Sequence, residues 1–438
     1  MSLLLILLAA LSGPTALQDP SHQAEDGLDL VTLGSQIEQG VARITGRPFK
    51  HPVAISTTNA EQFTAYAIGK LEEDGGAARM AADEAIAKHL GLVPEKLDLR
   101  ALTLEVLAEQ VGGFYDPPTD SFRVVEGLSP DLTRVIMAHE YTHALDDQYH
   151  DLDALEEARE GSTDGQLALH ALAEGSAMEV MERWMLANVA TLDMAAVQES
   201  QAAFSSEALQ AAPSYVWKPL LGSYMAGQNF LRRVERRTLL TRPAPIADLD
   251  RAWAAPPRSM EQVLHPAKYW VEEQRDEPTP VVVPDALVPE GWRVTRRDTL
   301  GELFLGILVT PPAQRTGIEI DPIKLLGLSY THPAAAGWDG DQVLLLAGPD
   351  GARATLLVTV WDTLRDADEF VKAVGEVFGP EFQAPDPGAS VSGAAAQRPI
   401  LRSGRALAVV RGDAQGLDLD RDALVAFLSG LDRSMGDE

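Results

Sequence analysis

Residues 135–150 read VIMAHEYTHALDDQYH, with His139 and His143 four apart and Glu140 directly after the first. On an α-helix, positions four apart lie one above the other, about 5–6 Å between Cβ atoms, so both imidazoles can aim at one metal ion. Glu140 stands about 100° round the helix from His139, beside the pair. From there its carboxylate can take a proton from a water that the metal activates, without ligating the ion itself. Between Ile136 and Leu145, Glu140 is the only formal charge. Such a helix can be buried, and buried histidines need a metal or a hydrogen-bond acceptor. The chain has no cysteine, which excludes disulfides, thiolate metal sites and cysteine nucleophiles.

A catalytic zinc site uses three protein ligands. His150 lies seven residues beyond His143, two turns further along and out of reach. The metzincin pattern needs Gly at 146 and His at 149; Asp146 and Tyr149 stand there, so that family is rejected. Asp147, four residues after His143, is placed to accept a hydrogen bond from a ligand's second ring nitrogen. Glu174 is the favoured third ligand. It sits in ALAEGSA, among small residues that let helices approach closely, and would complete the His₂Glu set of catalytic zinc. His170, one turn earlier, is its rival.

HEYTHALDD resembles the active helix of thermolysin-type zinc peptidases, the gluzincins, in which a downstream glutamate on a second helix completes the site. The resemblance implies one zinc ion per chain, held by His139, His143 and Glu174, with Glu140 as general base and Asp147 as a supporting carboxylate. It implies hydrolysis of peptide bonds in a peptide or protein substrate. The preceding GGFYDPPTDSFRVV is similar to the edge strand above that helix, where a peptide could be held by strand addition. The likeness covers residues 105–185 and departs at Met178, where the clan often carries an aspartate, leaving Glu179 or Asp146 to support His139. GSYMAGQNF and PPRSMEQVLHPAKYW resemble segments of uncharacterised secreted bacterial proteins with the same helix. Peptide hydrolysis develops negative charge on the carbonyl oxygen, and Tyr224 and His265 are the candidate donors to it. The rival function is an inactive, zinc-stabilised envelope or secreted binding protein. The intact Glu140 favours the enzyme.

The surrounding chain must bring these residues together. At 438 residues it is too long for one ordinary core. A net charge of −29 excludes a general nucleic-acid binder, since phosphate is repelled over most of the surface. The run RRVERR at 232–237 reads as one solvated helix face. The start, MSLLLILLAALSGPTAL, has an apolar core too short to span a bilayer and suited to a signal peptide at 1–17. Export to the periplasm or the medium is therefore expected. No further segment is long and apolar enough to span a membrane once the signal is removed.

Apolar spacing predicts helices through 60–110, from a Ser/Asp cap near 129 through the histidine pair, and again from 165 to 190, with 195–240 mostly helical. Residues 109–127 read as an extended hairpin, with turn signals at Gly-Gly and Asp-Pro-Pro. EEQRDEPTPVVVPDALVPEG is rich in proline and charge and reads as a linker. Beyond it DQVLLLAG, ARATLLVTVW and RALAVVRG look like strands, and DADEFVKAVGEVF and RDALVAFLSGL like helices. Asp341 and Asp362 there read as turn caps rather than cation ligands. The expected fold is α+β: a mainly helical zincin-like catalytic domain with an edge β-hairpin, then a smaller α+β domain. The expected bounds are 1–17 for the signal, 18–275 for the catalytic domain, 276–291 for the linker and 292–438 for the C-terminal domain.

Overall fold

The computed structural model describes residues 30–434 apart from 73–74, 111, 203–206, 239, 321–324, 326–327, 380–381, 383–399 and 415. The expected signal peptide at 1–17 lies outside the described residues. In chain order come α1 (Leu30–Thr45), β1 (Ala54–Thr58), α2 (Ala60–Glu72), α3 (Gly76–His89), α4 (Leu99–Gln110), β2 (Gly113–Asp116) and β3 (Ser121–Val125). The helical centre follows: α5 (Pro130–His150), α6 (Leu152–Glu157), α7 (Thr163–Asn188), α8 (Met194–Ala202), α9 (Glu207–Ala211) and α10 (Ser214–Leu231). Short α11 (Ile246–Ala254), α12 (Met260–Leu264) and α13 (Ala267–Trp270) lead to β4 (Arg293–Asp298) and α14 (Gly301–Val309). The chain ends with β5 (Trp338–Ala347), β6 (Arg353–Trp361), α15 (Leu364–Phe378), β7 (Ile400–Ser403), β8 (Ala406–Gly412) and α16 (Arg421–Ser434). This is the mixed α+β architecture expected, helical with two small sheets. Among the described residues no helix is long and apolar enough to cross a membrane.

Helix α5 starts where Ser129 accepts a hydrogen bond from the Leu132 N–H and Pro130 fills the first turn. It ends at Asp151, whose positive φ of 55° stops the helix. Helix α7 starts in the same way, with Ser162 accepting from the Gly165 N–H at 3.0 Å. Both helices are buried nearly all round, α5 from Val135 to Asp146 and α7 from Leu167 to Met181. A helix without a polar face belongs inside a bundle. Helix α7 is the centre, with α5 on one side and α10 on the other.

The α7–α10 contact depends on two glycines. A Cβ on Gly227 would lie 1.8 Å from the Ala171 carbonyl oxygen, and one on Gly175 would lie 2.5 Å from the Gly227 carbonyl carbon. Gly175 and Ala171 therefore serve the approach of α10, while Ser176 reaches Asp146 of α5. They leave Glu174 itself turned toward α5.

The first sheet has the order β1-β3-β2, with β1 parallel and β2 antiparallel to β3, so β2 is an edge. The second sheet is antiparallel with order β4-β5-β6-β8-β7. The apolar runs VLLLA of β5, ATLLVTVW of β6 and ALAVV of β8 arise because both faces of the sheet are covered at its centre. Val343, Leu345 and Leu357 join the main core, while Leu344, Leu346 and Leu356 join a second cluster with Leu424 and Leu428 of α16. The period of two along each strand divides them. The proline-rich 276–291 segment lies along this sheet and buries Val281 and Val283 in the second cluster. The Val283 N–H donates to the Gln342 side chain at 2.8 Å.

One expectation fails. The basic run 232–237 is not a solvated helix face, because α10 ends at Leu231. Arg232 is pulled toward the buried carboxylate of Glu179 and the half-buried one of Glu182, and Arg237 joins Glu182. Three arginines, with Arg183, surround acids that burial would otherwise penalise.

Candidate metal centre

His139 and His143 from α5 meet Glu174 from α7, and all three are buried. The His139 Nε2 lies 3.1 Å from Glu174 Oε2 and 3.0 Å from His143 Nε2. The third edge, His143 Nε2 to Glu174 Oε2, is 3.6 Å. Donor atoms about 2.0–2.1 Å from a tetrahedral ion lie about 3.3 Å from one another. The triangle fits that spacing closely, and these three residues form a group that could hold a metal ion. The second carboxylate oxygen of Glu174 is buried with no hydrogen-bond partner, as an oxygen facing an ion or its water would be. His170, the rival ligand, is outside the triangle: its Nε2 lies 3.9 Å from Glu156 Oε1.

The three groups do not shift alike: burial works to lower the His143 imidazole, but Glu174 outweighs it and leaves it raised. Burial works to raise the Glu174 carboxyl, but His143 and the hydrogen bonds from both imidazoles outweigh it and hold it at about 2. Burial lowers the His139 imidazole, against the pull of Glu174, and so favours the neutral ligand form. Glu140 stands beside the triangle, 2% exposed, and accepts a hydrogen bond from the Tyr115 N–H at 2.9 Å. Burial pushes its carboxyl up to about 8, with His143 working against the rise. The donor is on edge strand β2, so the unpaired side of that strand faces the histidine helix.

Tyr224 of α10 is brought to this group. Its ring lies 6.1 Å from the His139 ring at an angle of 25°. His265 is placed elsewhere, between Glu302 at 3.0 Å and Glu235 at 3.4 Å, so both its ring nitrogens are engaged away from the histidine pair. Burial lowers its proton affinity, and the two glutamates more than restore it.

The supporting carboxylates are also rearranged. Asp147 does not reach a ligand ring. One of its oxygens takes the Tyr115 hydroxyl at 2.8 Å and the other the Leu152 N–H at 2.9 Å, joining β2 and α6 to α5. Asp146 is taken by Arg47 and the Ser176 hydroxyl, each at 2.7 Å. Glu179 is taken by its arginines and the Ala244 N–H. The Nδ1 atoms of His139 and His143 have no partner among the described residues. In the C-terminal half, Asp341 caps α14 by accepting from Leu300 and Gly301 N–H groups, whereas Asp362 pairs with Lys268 at 2.6 Å.

Tyr115 is the residue that sequence reasoning missed. Its backbone holds Glu140 and its hydroxyl holds Asp147, so one residue sets the position of two carboxylates on α5. The available signal was its place in GGFYDPP, on the strand expected above the helix.

Residues 290–421 match a family model described as a domain of unknown function, DUF8575. That match covers the C-terminal part and not the metal centre. Among solved structures the chain is similar to a candidate hydrolase described as having a novel fold, from Chloroflexus aurantiacus. The two share 21% identity with a TM-score of 0.35, over 56% of this chain and 89% of the other. No curated protein matches the sequence.

Proposed function

We propose that this chain is a zinc-dependent hydrolase of peptide bonds, of the gluzincin type, with His139, His143 and Glu174 as the metal ligands. The observation that carries the reading is the convergence of two Nε2 atoms and one carboxylate oxygen within 3.0–3.6 Å, with the Glu140 carboxylate beside them. A zinc ion bound there supplies Lewis-acid polarisation of a water and of a carbonyl oxygen. Glu140 takes the proton from the attacking water at a carboxylate oxygen and passes it to the departing amine. The Tyr115 N–H holds that carboxylate in place. The Tyr224 hydroxyl is the assigned donor to the carbonyl oxygen as charge develops on it. An extended peptide would run along β2, the edge of its sheet that faces the histidine helix.

In this reading residues 1–17 direct export, residues 18–275 form the catalytic unit, and the part beyond the 276–291 segment is an accessory unit. The depth of the cluster favours one other reading, a binding protein stabilised by metal but without turnover. A single comparison separates the two. Metal-loaded parent and Glu140→Gln are incubated with a diverse peptide mixture and the products read by mass spectrometry. The proposal requires cleavage by the parent, a loss of at least about 100-fold in the variant, and equal metal content in both. Metal-dependent stability with no cleavage by either chain would establish the binding protein instead.

A further inference from the structure

A cavity of about 20 Å³ lies one helical turn from Glu174, between α6, the turn after β2 and the first half of α7. That is room for one water, or for a side chain of one or two heavy atoms. Its walls are apolar, from Pro117, Leu152, Leu169 and Ala173. Asp153 and Glu156 of α6 stand at its rim. The ring of His170 completes the lining.

His170 is 5% exposed, and its Nδ1 has no hydrogen-bond partner among the described residues. Its Nε2 lies 3.9 Å from Glu156 Oε1, beyond hydrogen-bond reach. Leaving a buried polar nitrogen unmatched costs about 1–3 kcal/mol, and an apolar side chain of the same size would avoid that cost. The position matters as much as the chemistry. Four residues on a helix advance about 6 Å, so His170 lies within one or two substrate residues of a carbonyl held at the His139–His143–Glu174 triangle. Pro117 follows directly on β2, the edge expected to carry the peptide.

We propose that this cavity is the specificity subsite of the hydrolase, and that His170 reads there a small hydrogen-bonding side chain, serine above all, next to the scissile bond. The inference rests on the peptidase reading of the metal centre. Nδ1, which has no partner among the described residues, can exchange a hydrogen bond with a seryl hydroxyl, which both donates and accepts. The walls accept alanine without that hydrogen bond. The volume excludes phenylalanine and leucine, and the rim carboxylates repel aspartate and glutamate. Burial lowers the proton affinity of His170, in keeping with a neutral ring.

The test uses the zinc-loaded full chain and peptide hydroxamates with a seryl, alanyl, phenylalanyl or aspartyl side chain on either side of the chelating group. Binding is read by calorimetry, so it does not depend on turnover. The parent is expected to bind the seryl compound about 5-fold tighter than the alanyl one, the worth of one hydrogen bond. It should bind the seryl compound more than about 10-fold tighter than the phenylalanyl and aspartyl ones. His170→Leu, of similar size, should bring the seryl-to-alanyl ratio to about one while phenylalanine stays excluded. His170→Gln should restore part of the seryl preference. Equal binding of all four by the parent overturns the subsite, and does so even if the variants fail to fold. An unchanged ratio in a folded His170→Leu overturns the role of His170, as does failure of every hydroxamate to bind a chain that holds its zinc. A parent that binds no zinc overturns instead the reading of the metal centre beneath it.

Discussion

Replacing Gly227 by alanine should be among the most damaging single-methyl changes in the molecule. The added Cβ would sit 1.8 Å from the Ala171 carbonyl oxygen and 2.7 Å from its carbon. Ordinary contact is about 1.5 Å further out, so α10 must retreat from α7 by about that much along their crossing. A gap of 0.5–1 Å already forfeits about a quarter to a half of the dispersion attraction across a contact. Overpacking of this kind costs about 1–3 kcal/mol and sometimes more, against which alanine gains about 1 kcal/mol in helix propensity. A net loss of up to about 2 kcal/mol follows, and more where the two helices cannot part. Gly69 supplies the control. It is exposed on α2, and a Cβ there meets nothing within 4 Å. Gly69→Ala should therefore raise stability by about 0.5–1 kcal/mol. Urea denaturation followed by circular dichroism compares the two variants with the parent. Because Gly175, beside Glu174, packs on the same stretch of α10, Gly227→Ala should also weaken metal binding while Gly69→Ala leaves it alone. If Gly227→Ala proved as stable as the parent, the close approach of α7 and α10 would be wrong, and with it the placement of Glu174.

Tyr224→Phe should lower kcat on a cleaved peptide by about 10- to 100-fold with metal content unchanged, as expected for a lost donor to the carbonyl oxygen; an unaltered kcat would remove that role. His265→Ala should leave metal content intact yet destabilise the fold by about 1–3 kcal/mol, because it leaves the buried Glu302 with the Thr331 hydroxyl in place of a charged partner; a chelation assay and a melting curve separate the two effects. Burial raises the Asp341 carboxyl to about 7, and Asp164 lies well above its ordinary value for the same reason. An acid with a raised folded pKa binds more protons folded than unfolded, so its burden on stability grows as pH rises from about 4 to 7. Asp341→Asn removes that burden: between pH 5 and 8 the stability difference should move in the variant's favour by about 3 kcal/mol. A pH-independent difference in urea midpoints would contradict the burial of a titrating carboxyl at 341.

The parts of the fold that were legible in the sequence are those with strong local chemistry. Ser129 announces the start of α5, and the spacing of His139 and His143 needs only one helix to be read. Glu174 was legible because few carboxylates sit among so many small residues; those residues admit α5 through Ser176 and also admit α10 through Gly175. What could not be read depended on partners distant in sequence. Asp147 has the spacing to support His143, but Tyr115 and Leu152 claim its oxygens. The basic run 232–237 looks solvated until Glu179 and Glu182 are known to lie beneath it. Strand β1, AISTT, has no apolar alternation and is defined by its parallel pairing with β3. His170 carries no signal of its own, since a histidine one turn from a carboxylate reads equally well as a ligand.

The central claim is tested most directly by metal content. Parent and Glu174→Ala, purified without added metal and then reloaded with zinc, are compared by elemental analysis and by melting in chelator. The metal centre predicts one zinc per chain in the parent, lost or sharply weakened in the variant, with the parent alone destabilised when zinc is stripped. A parent that takes up no zinc after reloading, and melts identically with and without chelator, would contradict it.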